Sequence, residues 1–345
     1  MGRAAADRPG VTYASVRILL LSNMYPSRAR PEYGVFVRRL ELALRERGNE
    51  VLVVADGRAG GGAGTALKYG SLAVRSLAAA RRARPDVVYA HYLVPTGVAA
   101  ALTGVPYVVT AHGQDVANIG RVPGVARATR MVLRRAAAVV CVSRYLAERL
   151  PLRPARLEVI DCGVDTRRLT PAARAPGRGP RFLFVGSLTE RKNPLALIEA
   201  FARLGEGSLT LVGEGPLTGR VQAAGVPGVR LTGRLSAERL AEEMATADVY
   251  CQPSLVEPQG QAILEAMARG RPVVATAVGG PPEYVTPECG VLVDPADVEQ
   301  IAQGMARAAR LPVPCDAAVT VARAHDIGVQ AEKIETLLRS VSLPA

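Results

Sequence analysis

The sequence has few of the groups that bind nucleic acids and metals. Among 345 residues there is no tryptophan and there are four phenylalanines, so few aromatic faces are available to stack on single-stranded bases. No DNA- or RNA-binding motif is recognisable, and we expect no nucleic-acid partner. Three histidines, and no Asp-x-Asp at a predicted strand end, leave no recognisable ligand set for a divalent cation. We therefore expect no metal and no cofactor.

Disulfides and membrane segments are not indicated either. No apolar run approaches the roughly 20 residues of a membrane-spanning helix. The run Val16–Leu21 is too short for the core of a signal peptide but suits a first strand, so we predict a cytoplasmic protein. The cysteines are odd in number, lie far apart and form no Cys-x-x-Cys pair, which indicates free thiols: Cys141, Cys162, Cys251, Cys289 and Cys315.

Positive charge is present in excess, and it lies in one half of the chain. The formal net charge is +12; residues 1–165 hold 24 Lys and Arg against 12 Asp and Glu, whereas residues 166–345 hold 19 of each. This asymmetry indicates an acidic partner for the first half, either a small polar or anionic molecule that carries phosphate, or the inner face of an anionic membrane in peripheral contact. Helix Gly124–Arg135 is the expected contact, although its apolar residues could equally pack on a sheet. An arginine-rich surface set by genome composition is the alternative.

Strand-like and helical runs alternate along two stretches of the chain. The strands are near-continuous apolar runs, which indicates parallel strands covered on both faces. Residues 166–180 contain three prolines and no apolar period, so we interpret them as a linker. The fold class predicted is α/β, with two doubly wound Rossmann-like domains, 15–165 and 181–327, that face a central cleft after a flexible tail of residues 1–14.

Two carboxylates with seven residues between them form the most informative motif. Glu257 follows the strand-like run Val249–Cys251, and Glu265 lies inside a helical pattern that begins after Gly260. The free N–H groups and positive dipole end of such a helix suit a diphosphate. Glu265 offers two oxygens to the diol of a ribose, and Glu257 is left to meet a sugar. The motif therefore predicts a sugar-nucleotide site.

The run from Pro253 to Tyr284 resembles the donor-site signature of retaining glycosyltransferases of family 4, and the resemblance covers roughly residues 15–340. It implies the GT-B architecture, in which the last helix, within residues 328–345, crosses back onto the first domain. It also implies that the first domain binds the acceptor and the second the donor. Transfer then retains the anomeric configuration, and the leaving phosphate accepts the proton of the acceptor.

A second segment resembles the diphosphate clamp of that family. A strand ends in Gly186, and the cations Arg191 and Lys192 follow before a helix. Fixed positive groups stabilise the charge that develops on a departing phosphate. Many relatives carry Arg directly after the glycine, where this chain has Ser187, so either Arg191 takes that role or the clamp rests on Lys192.

The resemblance also assigns positions around the donor. Gly34 opens a helix whose N–H groups approach the phosphates, Gly213 lies in the turn beneath the base, and His112 lies beside the sugar as a hydrogen-bond partner. His91 is a weaker candidate. The predicted catalytic residues are Lys192, Arg191, His112 and Glu257. The predicted donor-binding residues are Gly34, Gly186, Ser187, Arg191, Lys192, Gly213, Glu257, Gln259, Gly260, Gln261, Ala262 and Glu265.

These observations predict a metal-independent, retaining glycosyltransferase that moves a sugar from an NDP-sugar, with a UDP-sugar favoured, to an acceptor hydroxyl. Natural-product, glycoconjugate and cell-envelope biosynthesis all use such transfers. Two alternatives remain open from the sequence: a nonhydrolysing UDP-sugar epimerase, and a sugar-nucleotide-binding protein without catalysis.

Overall fold

A computed structural model describes residues 15–28, 30–56, 63–173 and 179–342. The predicted tail of residues 1–14 lies outside these ranges, as do residues 174–178 of the predicted linker.

The first domain is built on a six-stranded parallel sheet with strand order β2-β1-β3-β4-β5-β6. Its central strands are buried along their whole length, which explains why they read as continuous apolar runs. The strands are β1 (Arg17–Ser22), β2 (Glu50–Ala55), β3 (Val87–His91), β4 (Tyr107–Ala111), β5 (Ala138–Cys141) and β6 (Leu157–Val159). The helices are α1 (Val35–Glu46), α2 (Ala63–Ala83), α3 (Thr96–Leu102), α4 (Gln114–Ala117), α5 (Val125–Arg135) and α6 (Arg144–Ala147).

The second domain has a second six-stranded parallel sheet, with strand order β12-β11-β10-β7-β8-β9. The strands are β7 (Arg181–Val185), β8 (Ser208–Val212), β9 (Val229–Leu231), β10 (Val249–Gln252), β11 (Val273–Thr276) and β12 (Gly290–Val293). The helices are α7 (Pro194–Leu204), α8 (Thr218–Ala223), α9 (Ala237–Thr246), α10 (Gln261–Ala268), α11 (Val298–Ala308), α12 (Asp316–Ala324) and α13 (Ile327–Val341). Apolar clusters cover both faces of each sheet. The predicted fold class is therefore confirmed.

The last helix packs on the first domain, as predicted. Ile334 and Leu338 of α13 are fully buried in the cluster that holds Leu20 of β1 and Val87 of β3. The chain therefore crosses between the domains twice, and the two crossings are joined by backbone hydrogen bonds of Val164 with His325 and Ile327. Gly163 is required here, because a Cβ atom would lie 2.5 Å from the Cα of Ile327.

Four helices escaped the prediction: α3, α4, α8 and α12. The sequence of α3, Thr96–Leu102, is small and apolar throughout, so it shows no periodic polar face. Val319 and Val321 of α12 are β-branched residues that favour strands over helices. Helix α5 was predicted, and its Val132 and Leu133 are fully buried in the domain core. Its apolar face therefore packs on the sheet.

None of the helices within the described ranges combines the length and apolar character that a bilayer crossing requires.

Candidate active site

A cleft of about 770 Å³ lies between the two domains, at the carboxyl ends of both sheets. Parallel α/β sheets bind ligands at this edge because the loops that follow their strands converge there. The first domain contributes residues that follow β3, β4 and β5, and the second contributes residues that follow β7 and β10. The predicted residues in the lining are His112, Arg191, Glu257, Gln259, Gly260 and Gln261.

Glu257 is the centre of a polar cluster on the second-domain side. Its carboxylate accepts a 2.6 Å hydrogen bond from Lys192 Nζ, a short one from the amide of Gln252 and a 3.3 Å one from Ser254. The guanidinium of Arg191 lies 3.8 Å from the same oxygen and also donates to the carbonyl of Val256. The structure thus brings together three of the four residues predicted to be catalytic.

The charges of this cluster keep Glu257 ionised. Burial opposes ionisation, but the nearby charge and hydrogen bond of Lys192, aided by Arg191, outweigh it and lower the pKa of Glu257 below 4.5. The Lys192 side chain is only 16% exposed and that of Glu257 9%, so the pair is largely shielded from water. Lys192 is therefore a fixed positive group at the edge of the cleft.

Helix α10 begins at Gly260, which has a φ of 91°, and no side chain caps its first turn. Its N-terminal N–H groups are therefore available to an anion. Glu265 lies one turn further along, next to Ala262, and its carboxylate is bound by Arg39 of α1 at 2.5 Å. This ion pair joins the two domains. A ribose that used both oxygens of Glu265 would have to displace Arg39.

Gln259 and Gln261 bind the segment where the chain first leaves the first domain. The side-chain amide of Gln259 accepts from the N–H of Cys162 at 2.9 Å and donates to its carbonyl at 2.7 Å. Gln261 donates to the carbonyl of Gly163 at 3.3 Å. Both amides were predicted to bind the donor. In this structure they hold residues 259–261 against Cys162 and Gly163, where the chain crosses between the domains.

His112 forms the first-domain side of the site together with His91. The rings stack at 5.3 Å, His91 Nδ1 lies 3.1 Å from His112 Nε2, and the thiol of Cys162 lies 3.6 Å from His112 Nδ1. Burial lowers the pKa of His91 to about 3, and burial with the neighbouring His91 holds that of His112 well below 6.5. Both imidazoles are therefore neutral at neutral pH, which suits a hydrogen-bonding role for His112 and not that of an acid.

Asp115 shapes the loop that carries His112. Its buried carboxylate accepts hydrogen bonds from the N–H groups of Leu93, His112 and Gly113 at 2.9–3.1 Å. Burial raises the pKa of Asp115, and these N–H groups oppose the rise. Asp115 was not predicted as a site residue; its position two residues after the strand-end His112-Gly113 pair was the available signal.

The remaining predicted donor positions lie around the cleft. Gly186 follows β7 and its N–H donates to the carbonyl of Val212, Ser187 beside it is exposed, and Gly213 follows β8. A second cavity of about 570 Å³ opens past Gly213, lined by Glu214, Thr232 and Arg234 among others.

Gly34 precedes α1 with a φ of 77°. A Cβ atom on it would lie 2.5 Å from the carbonyl group of Met24, so the close approach of these two segments requires glycine.

Several residues of the site have no signal in the sequence. Arg39 meets Glu265 only because the domains close, and Arg121 and Arg149 line the cleft from loops and a short helix. The carboxylate of Glu283 accepts hydrogen bonds from the first N–H groups of α6 across the domain boundary, at 3.0 and 2.9 Å. Ser143 is the N-cap of the same helix, and its side chain accepts a hydrogen bond from the N–H of Leu146.

Family models match both halves of the chain. The model described as Glycosyltransferase Family 4 matches residues 34–168, and the one described as Glycosyl transferases group 1 matches residues 179–310. A 2-deoxystreptamine glucosyltransferase of Streptomyces kanamyceticus is 30% identical over 294 residues, which cover 72% of this chain and 75% of that protein. The chain belongs to glycosyltransferase family 4.

A second relative supports the same membership. An MMP alpha-(1->4)-mannosyltransferase of Mycolicibacterium hassiacum is 31% identical over 268 residues, which cover 69% of this chain and 65% of that protein.

Solved structures agree on the fold. Sucrose-phosphate synthase from Thermosynechococcus elongatus superposes with a TM-score of 0.77 at 20% identity, over 94% of this chain and 98% of that one. Anabaena HepE in complex with UDP-glucose gives 0.73 at 20% identity, over 94% of this chain and 100% of that one.

Proposed function

We propose that this protein is a retaining, metal-independent glycosyltransferase that transfers a sugar from an NDP-sugar, preferentially a UDP-sugar, to an acceptor hydroxyl. The observation that carries the proposal is the Lys192–Glu257 pair, 2.6 Å long and largely shielded, beside the uncapped start of α10. A fixed cation and free N–H groups together suit a diphosphate that gains charge as the glycosidic bond breaks.

Donor binding is divided between the two carboxylates of the motif. Glu265 accepts hydrogen bonds from the ribose diol and releases Arg39. Glu257 accepts hydrogen bonds from sugar hydroxyls. Lys192 then contacts both Glu257 and the leaving phosphate. Lys192 and Arg191 supply the positive charge that a divalent cation supplies in other transferases. His112, neutral and held by Asp115, donates to or accepts from the sugar after exchanging its weak contact with Cys162.

Retention without a double displacement is supported by the single carboxylate in the described cleft lining. Among the described lining residues Glu257 is the one carboxylate, and Lys192, Gln252 and Ser254 all bind it. A double displacement needs a nucleophile and a separate acid about 5 Å apart. Transfer on the face of the departing phosphate, with that phosphate accepting the proton of the acceptor, needs neither.

Two relatives bear on the preference for uridine, and they differ in nucleotide. HepE, a structural relative, was solved with UDP-glucose, whereas a corynebacterial sequence relative is named as GDP-mannose-dependent. The identity of the donor nucleotide is therefore tested first.

The test incubates the protein with UDP-glucose, GDP-mannose and ADP-glucose, with and without EDTA, and measures released nucleoside diphosphate and the anomeric configuration of the product. We expect release from the UDP-sugar with water as the acceptor, unchanged by EDTA, and the axial anomer of the free sugar as the first product from an axial donor. Inversion, or activity lost with EDTA, would contradict the corresponding part of the proposal. Epimerised sugar without release would identify an epimerase, and no reaction with any donor would favour a binding protein.

A further inference from the structure

Resting on the proposed function, we propose that the acceptor is an anionic amphiphile: an apolar aryl or alkyl body that carries a phosphate or carboxylate group. The observation behind this proposal is the part of the cleft lining that lies outside residues 257–265. It is formed by α4, residues 119–121 and α6 of the first domain, and by residues 255 and 256 of the second.

Many side chains in this part of the cleft lining are apolar. Val116, Ile119 and Leu146 face it from the first domain, and Leu255 and Val256 face it from the second. Leu255 is 43% exposed, a large apolar side chain left open beside a polar cluster. Burying such a surface under a ligand is favourable, whereas a bare sugar offers little apolar area in return. The walls therefore fit an apolar acceptor body.

Arginines lie in the same part of the cleft lining. Arg121 forms no ion pair among the described residues, and Arg149 lies over the ring of Tyr145 at 3.5 Å and donates to its carbonyl. Guanidinium groups bind phosphate and carboxylate in a bidentate manner, so these groups fit an anion on the acceptor.

This arrangement differs from the other arginines that surround the cleft. Arg39 and Arg234 are paired with carboxylates of the opposite domain, at 2.5 and 3.0 Å. Arg121 and Arg149 are exposed, share the cleft with apolar side chains and have no carboxylate in reach within the described chain. Their counter-charge is therefore expected from a ligand.

The first experiment measures binding by calorimetry in the presence of excess UDP, which fills the donor site. The probes are naphthyl phosphate and octyl phosphate, each compared with its neutral alcohol, and inorganic phosphate alone. We expect both organic phosphates to bind about 10-fold or more tightly than their alcohols, because charge-assisted bonds to guanidinium are lost with the phosphate. Inorganic phosphate should bind more weakly than either, because it lacks the apolar body.

Variants locate the binding site. Arg121→Gln combined with Arg149→Gln should weaken binding of the organic phosphates by about 10-fold or more and leave UDP affinity unchanged. Arg127→Gln with Arg130→Gln removes the same charge from α5, outside the cleft, and should change binding by less than about 2-fold.

The outcomes separate the hypotheses. Equal binding of phosphates and alcohols, or a loss in the Arg127 and Arg130 variant as large as that in the Arg121 and Arg149 variant, would overturn the inference. Tighter binding of the aryl phosphate indicates a soluble aromatic acceptor, and tighter binding of the alkyl phosphate a lipid. If no donor releases nucleotide but the arginine-dependent binding persists, the proposed function is wrong and the proposed ligand class stands. If a donor releases nucleotide but binding does not depend on the arginines, only the proposed ligand class is wrong.

Discussion

The second-domain wall of the cleft carries its charges as a closed cluster, whereas the first-domain wall carries neutral imidazoles and arginines without carboxylate partners. On the second-domain wall, Lys192, Glu257 and Gln252 bind one another before any ligand arrives. On the first-domain wall, His91 and His112 are held neutral by burial, and Arg121 and Arg149 point into the shared space. A preorganised wall suits a diphosphate, whose chemistry is fixed, and an open wall suits an acceptor, whose chemistry differs between transferases.

Removing the cation breaks the closed cluster and should have the largest effect. Lys192→Ala is expected to lower kcat by about 10²–10³, because one preorganised partner of the developing charge is lost. It also leaves Glu257 buried without its partner, which costs roughly 3–5 kcal/mol of stability.

Steady-state kinetics and melting curves measure both effects. Lys192→Ala with Glu257→Gln removes the unpaired charge and should recover stability without recovering turnover. Lys333→Ala, on the exposed face of α13, is the matched surface control. Near wild-type turnover in Lys192→Ala, with loss in Arg191→Ala, would move the clamp to Arg191.

Glu265→Gln tests the ribose role on the second-domain wall. We expect the donor KM to rise about 10-fold with kcat nearly unchanged, because the ribose hydroxyls do not change charge in the transition state. A collapse of kcat at constant KM would show that Glu265 acts on the reacting centre.

Arg39→Ala tests the contact between the two walls. The guanidinium competes with ribose for Glu265, so removing it should tighten uridine binding by about 5-fold, the effect of roughly 1 kcal/mol for a partly buried pair. Calorimetry with uridine measures this, and Arg39→Ala in the Glu265→Gln background should have no effect. Weaker uridine binding in the single variant would mean that Arg39 helps to bind the nucleoside.

The neutral histidines predict a pH dependence of stability. Their folded pKa values lie below 6.5, so the unfolded chain binds more protons, and stability should decline as the pH falls from 7 to 5. Each histidine contributes up to about 1.4 kcal/mol per pH unit below its unfolded pKa. Glu257, with a lowered pKa, loses its contribution only below about 4.5.

Thermal melts of the wild type and His91→Gln at pH 7 and pH 5 measure this dependence. The variant should lose about 2 °C less than the wild type over that interval, given the size of the chain. Equal losses would show that His91 is protonated in the folded protein.

The smallest effect concerns membranes. Because Val132 and Leu133 of α5 are buried, only its exposed arginines remain for contact with a bilayer. Flotation with anionic liposomes is expected to be weak at low salt and absent at about 0.15 M salt, where exposed charges are screened. Binding that survives salt would require an apolar contact elsewhere.

Prediction from the sequence succeeded where the evidence is contiguous in the chain. Every strand of the two sheets was recognised because buried parallel strands are short apolar runs, and the helix that begins after Gly260 followed from its periodicity. The small helices α3, α4 and α8 were missed because they are too short, or too uniformly apolar, to show a helical period. At the site, Lys192 and Glu257 were both predicted, but their direct contact was not, since they lie on loops that follow different strands.

The sequence by itself determined the two α/β domains, the donor motif between Glu257 and Glu265, and the excess charge of the first half, because each depends on local composition or spacing. Only the tertiary structure decided that Arg39 meets Glu265 across 226 residues, that His91 stacks on His112, and that Arg121 and Arg149 share a cleft with Leu255. These contacts depend on strand order and on how the domains close. Local periodicity carries no record of either.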